Sequence, residues 1–198
     1  MYKLSDLMLQ NLESNLRKYH ELFQGGRCDS WQMEELVAKA IRSDFDKTEG
    51  VRWKGNGHDI GCDIMVNGNI EIQMKSGKVN GDRLTISGHR LGTFDGDMQG
   101  ITDFLNTRKY TIIATPYKKT QDEMGRAHNY ELWYIDSSLL HLEHAGLWQP
   151  TSSGKAFTAT NRHGVKMRIT PSMSWQIWWD IPVSLVPGQN RTRVIRIG

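Results

Sequence analysis

Gly57-His58-Asp59-Ile60-Gly61-Cys62-Asp63-Ile64-Met65-Val66, then Asn67-Gly68-Asn69, then Ile70-Glu71-Ile72-Gln73-Met74-Lys75-Ser76 is the stretch that decides the fold. Two short apolar runs split by Asn-Gly are a hairpin signal. In the second run apolar and polar residues alternate. Glu71, Gln73 and Lys75 project to one face of a strand, and Ile70, Ile72 and Met74 project to the other. The position of Asp63 depends on the turn. A two-residue loop, Asn67-Gly68, sets Asp63 opposite Ile72 on the core face. A three-residue loop, Asn67-Gly68-Asn69, sets it opposite Gln73 on the polar face. The longer loop is the expected one, because it spares a buried, unpaired carboxylate.

Helices are expected before this hairpin. Leu4, Leu7, Met8, Leu12, Leu16, Tyr19 and Phe23 recur at helical spacing across 4–23. Gly25-Gly26 ends that run. A second helix is expected over 31–45, capped by Asp29 or Ser30, with Met33, Leu36, Val37, Ala40 and Ile41 on its inner side. After the hairpin, residues 77–97 hold five glycines and read as loop with a short strand at 84–86. A helix over 98–108 follows, then strands at 110–115 and 130–135, then a helix from Asp136 to about Ala145. Residues 150–198 read as hairpins and turns. The order implies an α/β fold: a mixed central sheet flanked by helices, with a β-rich C-terminal extension.

The bulk numbers set few further limits. The 198 residues suit a single domain, 1–198, with a core over about 30–135. A hydrophobic fraction of 38% and a charged fraction of 24% fit a packed globular chain. A net charge of +3 is too small to imply nucleic acid by itself. Two cysteines, Cys28 and Cys62, exclude a disulfide scaffold, and the lack of a CxxC pair argues against a cysteine zinc site. No apolar run is long enough to span a bilayer, and the opening MYKLSDLMLQNLESN lacks a signal core. The expectation is a cytoplasmic protein with no membrane partner.

On the polar face the hairpin gathers an acid, an amide and an amine. Carboxylate and carbonyl oxygens bind a hard cation such as Mg²⁺, and a nearby lysine stabilises developing charge. Phosphodiester cleavage needs those groups. Asp63, followed ten residues later by Gln73-Met74-Lys75, resembles the motif of the PD-(D/E)xK nuclease superfamily, with Gln in place of the second acid. The similarity covers roughly residues 30–116. It departs in having no Pro before Asp63, and Glu71 and Asp59 are competing acids.

The resemblance implies an αβββαβ core and Mg²⁺-dependent hydrolysis of double-stranded DNA. It implies a catalytic set of Asp63, Gln73 and Lys75, joined by Glu34 or Glu35 from the preceding helix. The implied metal ligands are Asp63, Gln73 and Met74. A type II restriction endonuclease acting as a homodimer is the foremost expectation, with 150–198 serving recognition or dimerisation. A junction resolvase-like or repair nuclease, and a non-catalytic DNA-binding module, are the rivals.

Ser87, His89 and Arg90, together with Lys78, Lys118 and Lys119, are the expected DNA contacts, since Arg and Lys grip phosphate and Arg reads guanine. Their ordinary reading is a polar loop. Arg191, Arg193 and Arg196 form a further basic cluster, equally read as a solvated edge. Trp175, Trp178 and Trp179 are read as core before stacking platform. His141-x-x-His144 has helical metal spacing but no third ligand, so a structural reading stands there.

Overall fold

The computed structural model describes residues 1–23, 26–28, 30–44, 50–53, 62–117 and 128–197. His58, Asp59, Lys118 and Lys119 lie outside the described residues. So do Asp29, one of the two capping candidates, and Phe45.

The chain is mixed α/β. Helix α1 (Asp6–Leu22) starts at Ser5, whose side chain accepts the Met8 amide. It buries Met8, Leu12 and Leu16. Helix α2 (Ser30–Arg42) packs beside it and buries Met33, Val37, Ala40 and Ile41. Strands β1 (Val51–Trp53) and β2 (Ile64–Val66) lead into the long β3 (Ile70–Asn80), which turns into β4 (Arg83–Arg90). Helix α3 (Met98–Thr107) is capped by Asp97, which accepts the Gln99 and Gly100 amides. Strands β5 (Thr111–Tyr117), β6 (His128–Tyr130) and β7 (Trp133–Asp136) follow. The chain closes with β8 (Gln149–Pro150), β9 (Phe157–Thr160), β10 (Lys166–Thr170), β11 (Gln176–Pro182) and β12 (Ile195–Ile197).

Ten of these strands form one sheet in the order β1-β2-β3-β4-β11-β10-β9-β8, with β5 on β3 and β7 on β5. Every pairing is antiparallel except β3 with β5. Strands β6 and β12 make a separate two-stranded sheet.

Two cores lie on opposite faces. On one, α1 and α2 cover Ile64, Val66, Ile72, Met74 and Ile113. On the other, α3 and the C-terminal strands enclose Leu84, Ile86, Ile112, Ala114, Ile177 and Trp179. Strand β5 is covered on both sides, and its first five residues are all buried.

Several sequence expectations are corrected here. Residues 77–90 are strand, not loop: β3 runs on to Asn80 and pairs with β4 across a Gly81-Asp82 turn in which Gly81 has φ +59°. The glycines are there for packing. A Cβ on Gly77 would lie 2.5 Å from Leu84 Cδ1, and one on Gly88 would lie 2.3 Å from the Trp179 ring. Residues 130–135 divide between two sheets instead of forming one strand. Asp136 caps only a 3₁₀ turn, Ser137–Leu140, so His141 and His144 do not sit on a helix face. Of the Trp trio, Trp179 is fully buried in the core, while Trp175 and Trp178 are half-buried.

Candidate active site at the open edge of β3

The register of the hairpin pairs Ile64 with Ile72 and Val66 with Ile70, leaving Asn67-Gly68-Asn69 as a three-residue loop. Asn67 (φ 51°) and Gly68 (φ 72°) both take left-handed backbone there. Asp63 therefore falls opposite Gln73, and its amide donates to the Ile72 carbonyl at 3.1 Å.

Strand β3 has three partners. Strand β5 occupies one edge from Ile72 to Lys78. On the other edge β2 pairs with residues 70–72 and β4 with residues 77–80. Between them, along residues 73–76, neither β2 nor β4 continues the ladder, which leaves a gap between those two strands among the described residues.

The Asp63 side chain fills part of that gap. Its Oδ2 accepts the Met74 amide at 2.7 Å and the Lys75 Nζ at 3.3 Å. A side-chain carboxylate thus replaces the missing main-chain acceptor. In a strand the carbonyl of a residue points to the same edge as its amide, so the Met74 carbonyl also faces the gap. Lys75 and Asp63 are each about one-fifth exposed, at 18% and 21% of their side chains, so the pair sits at a mouth open to solvent.

Helix α2 supplies the next group. Burial, and then the Asp63 carboxylate, push the Glu34 carboxyl up to about 7, against the opposing pull of Lys75. Glu34 is therefore within electrostatic reach of both. Glu35, one position on, is exposed.

The polar row on β3 is engaged along its whole length. The Glu71 carboxylate is taken by Arg108 Nη2 at 2.6 Å, and that guanidinium also lies over the Phe104 and Tyr110 rings. Gln73 is 1% exposed, and its Nε2 lies 3.3 Å from His89 Nε2. Burial, with Arg108 and Lys75 nearby, pushes the His89 imidazole down to about 3, so the ring is neutral.

His89 is 8% exposed and packed edge-on to Phe104, Tyr110 and Trp179. This corrects its assignment as a DNA contact, because the ring lies inside the protein. A bulge at Gly88 and His89 turns it inward, the ladder stepping from Ser87↔Trp178 to Arg90↔Gln176. Arg90 and Lys78 are exposed and Ser87 is half-exposed. All three belong to strand ends beside the gap and not to a loop.

The donors at the gap fit a hard cation in part. Glu34, Asp63 and the Met74 carbonyl offer oxygen, and a carboxylate raised by a neighbouring carboxylate is relieved by a divalent ion. Gln73 does not join them in this arrangement, since its side chain turns to His89. Among the described residues no group of three or more His, Cys, Asp or Glu side chains is close enough to hold a metal.

Sequence reasoning missed the Arg108–Glu71 pair and the Gln73–His89 contact, both of which join residues far apart in the chain. It also missed Lys166 and Arg168, although the alternation Lys166-Met167-Arg168-Ile169 marks a strand with a charged outer face. No helix is long and apolar enough to cross a membrane among the described residues. No protein-family model matches this chain, and neither a curated protein nor a solved structure does.

Proposed function

We propose that the chain is a divalent-metal-dependent DNA endonuclease of the PD-(D/E)xK type, acting on duplex DNA at the gap in β3. The observation that carries this reading is the convergence of Asp63, Lys75 and the Met74 main chain at the break between β2 and β4 along one edge of β3 among the described residues. The element order α2-β1-β2-β3-β4-α3-β5, with β3 and β5 parallel, carries one strand more than the αβββαβ order that the resemblance implies, and supports the reading through its helix, hairpin, helix and parallel strand. Mg²⁺ is the proposed ion, and Glu34, Asp63 and the Met74 carbonyl are its proposed ligands.

When bound, such an ion supplies Lewis acidity to the phosphate and acidifies water. The chain's own groups do the remainder. Asp63 holds the Lys75 ammonium at the mouth of the gap. From there Lys75 donates to a phosphate oxygen or orients the attacking water. Glu34 would give up its own proton to hold the ion, and the proton shed by the water would pass to solvent. Gln73 acts from behind, fixing the strand through His89. Ser87, Arg90 and Lys78 border the gap and take phosphates or base edges. A type II restriction enzyme working as a homodimer is the specific form we favour.

Incubating the protein with plasmid DNA and Mg²⁺ is the direct test. Discrete fragments are the expected result, and a smear would replace site specificity with non-specific cleavage. A non-catalytic DNA-binding module is the second reading. It is favoured by the fact that the Asp63 oxygen already has two partners, as a structural ion pair would. Binding without cutting under any divalent ion would select it.

A further inference from the structure

Beyond β3 the sheet changes character. On strands β4, β11, β10 and β9 one face is core and the other carries no helix among the described residues. Lys78, Thr85, Asp180 and Lys166 are cross-strand neighbours in one row of that uncovered face. Ser87, Trp178, Arg168 and Thr158 make the next row. Thr85, Asp180, Lys166, Trp178, Arg168 and Thr158 line a concavity of about 760 Å³.

The charges on this face are segregated. The whole chain has 25 basic and 22 acidic residues, close to balance. The described strands of this face carry Lys78, Arg83, Arg90, Lys166 and Arg168 against the carboxylate of Asp180. That carboxylate is already held by Arg83 Nε at 3.2 Å and by the Thr85 hydroxyl. Arg83 is held in turn, donating to the carbonyls of Gly164 and Asp180. Lys78, Arg90, Lys166 and Arg168 are exposed. Around them stand threonine and serine hydroxyls and the half-buried Trp178. A surface of cations and hydroxyls with its one acid neutralised is matched to phosphate oxygens.

The even-numbered residues of β3 share this face, so Lys78 stands on it, while Lys75 projects to the other face and reaches the gap from that side. The helix bearing Glu34 packs on the same side of the sheet and bounds it. Neighbouring strands lie about 4.8 Å apart, so Lys166 is roughly 14 Å from Lys78 across the sheet.

We infer that the open face of β4-β11-β10-β9 is the docking surface for the phosphate backbone of duplex DNA, with Lys166 and Arg168 as its far anchor and the β3 gap at its near end. This rests on the nuclease reading for the identity of the gap, while the surface itself can be tested without cleavage.

The test is fluorescence anisotropy of a labelled random-sequence 30-base-pair duplex, without divalent metal, at several salt concentrations. The Lys166→Ala/Arg168→Ala double variant is compared with wild type and with Arg193→Ala, an exposed arginine that pairs with Glu13 of α1. We expect the double variant to bind about tenfold more weakly and its log K against log salt slope to flatten by about 1.8, roughly 0.9 per phosphate contact. Arg193→Ala should leave both unchanged. An unaltered slope in a double variant with wild-type melting temperature would overturn the surface, whether or not the protein cuts DNA. Tighter binding of a single-stranded oligonucleotide of equal length would also overturn it. If wild type binds duplex through Lys166 and Arg168 but never cuts with Mg²⁺, the surface stands and the nuclease reading fails.

Discussion

The sheet has two halves built on opposite plans. Around β2, β3 and β5 both faces are covered, and a polar side chain there must find a partner or face the gap. Gln73 takes His89, Glu71 takes Arg108, and Asp63 takes Lys75 with the Met74 amide. In the half formed by β4, β11, β10 and β9 the described residues cover only one face. Polar residues there alternate with core residues and most of them face water. The difference teaches where function is concentrated. In the covered half a few side chains are held by many constraints, and losing one is costly. In the open half many similar side chains share a surface, and each counts for little alone.

The largest effect should come from the covered half. Lys75→Ala is expected to lower the rate of plasmid cleavage by about 10²–10³-fold, the typical loss when one stabiliser of transition-state charge is removed. Duplex affinity measured in Ca²⁺ should stay within about threefold. Cutting at the wild-type rate by this variant would erase the contrast between the halves. Next is the seam between them. Gly88→Ala drives a Cβ into the Trp179 ring and Ile177, so urea unfolding should show a loss of about 1–3 kcal/mol, as overpacking typically does. A stability within error of wild type would mean that the ring can move aside.

Glu34 sharpens the comparison further. Its folded carboxyl is raised to about 7 from the ordinary 4.5. The folded state therefore holds the proton more tightly than the unfolded chain, and stability falls as pH rises from about 4.5 through 7. Glu34→Gln removes that dependence. At pH 8 without divalent ions it should melt higher than wild type, by up to about 4 °C, the shift expected of about 1 kcal/mol in a chain of this size. At pH 4 the two should coincide. An equal gap at both pH values would show that Glu34 is not an ionisable burden. The smallest effect belongs to the open face, where Thr158→Ala alone should change stability by less than about 0.5 kcal/mol.

The covered half was the more legible in the sequence. The alternation of residues 70–75 and the Asn-Gly-Asn turn gave the strand, its faces and the position of Asp63 opposite Gln73, because pairing across a tight hairpin is local. The open half was hidden by glycine. Gly77, Gly81 and Gly88 read as loop, yet two of them are packing glycines inside strands, pressed by Leu84 and Trp179. No local rule reports that a distant ring will occupy the space above a glycine. His89 failed for the same reason: a bulge turned inward a residue followed directly by the exposed Arg90. The basic face could not be read because its residues come from strands far apart in the chain and meet only through sheet pairing.

The Met74 amide offers a way to watch the site without any substrate. Most amides in the middle of β3 are protected by ladder bonds that open only when the sheet opens, whereas this one donates to a single side-chain oxygen. Its exchange with deuterated solvent should follow the state of one carboxylate. Drawing Asp63 toward a cation would weaken that bond and speed exchange at this position ahead of its neighbours. A nitrogen-15 spectrum recorded during a metal titration would then carry, in one cross-peak, an occupancy gauge for the gap.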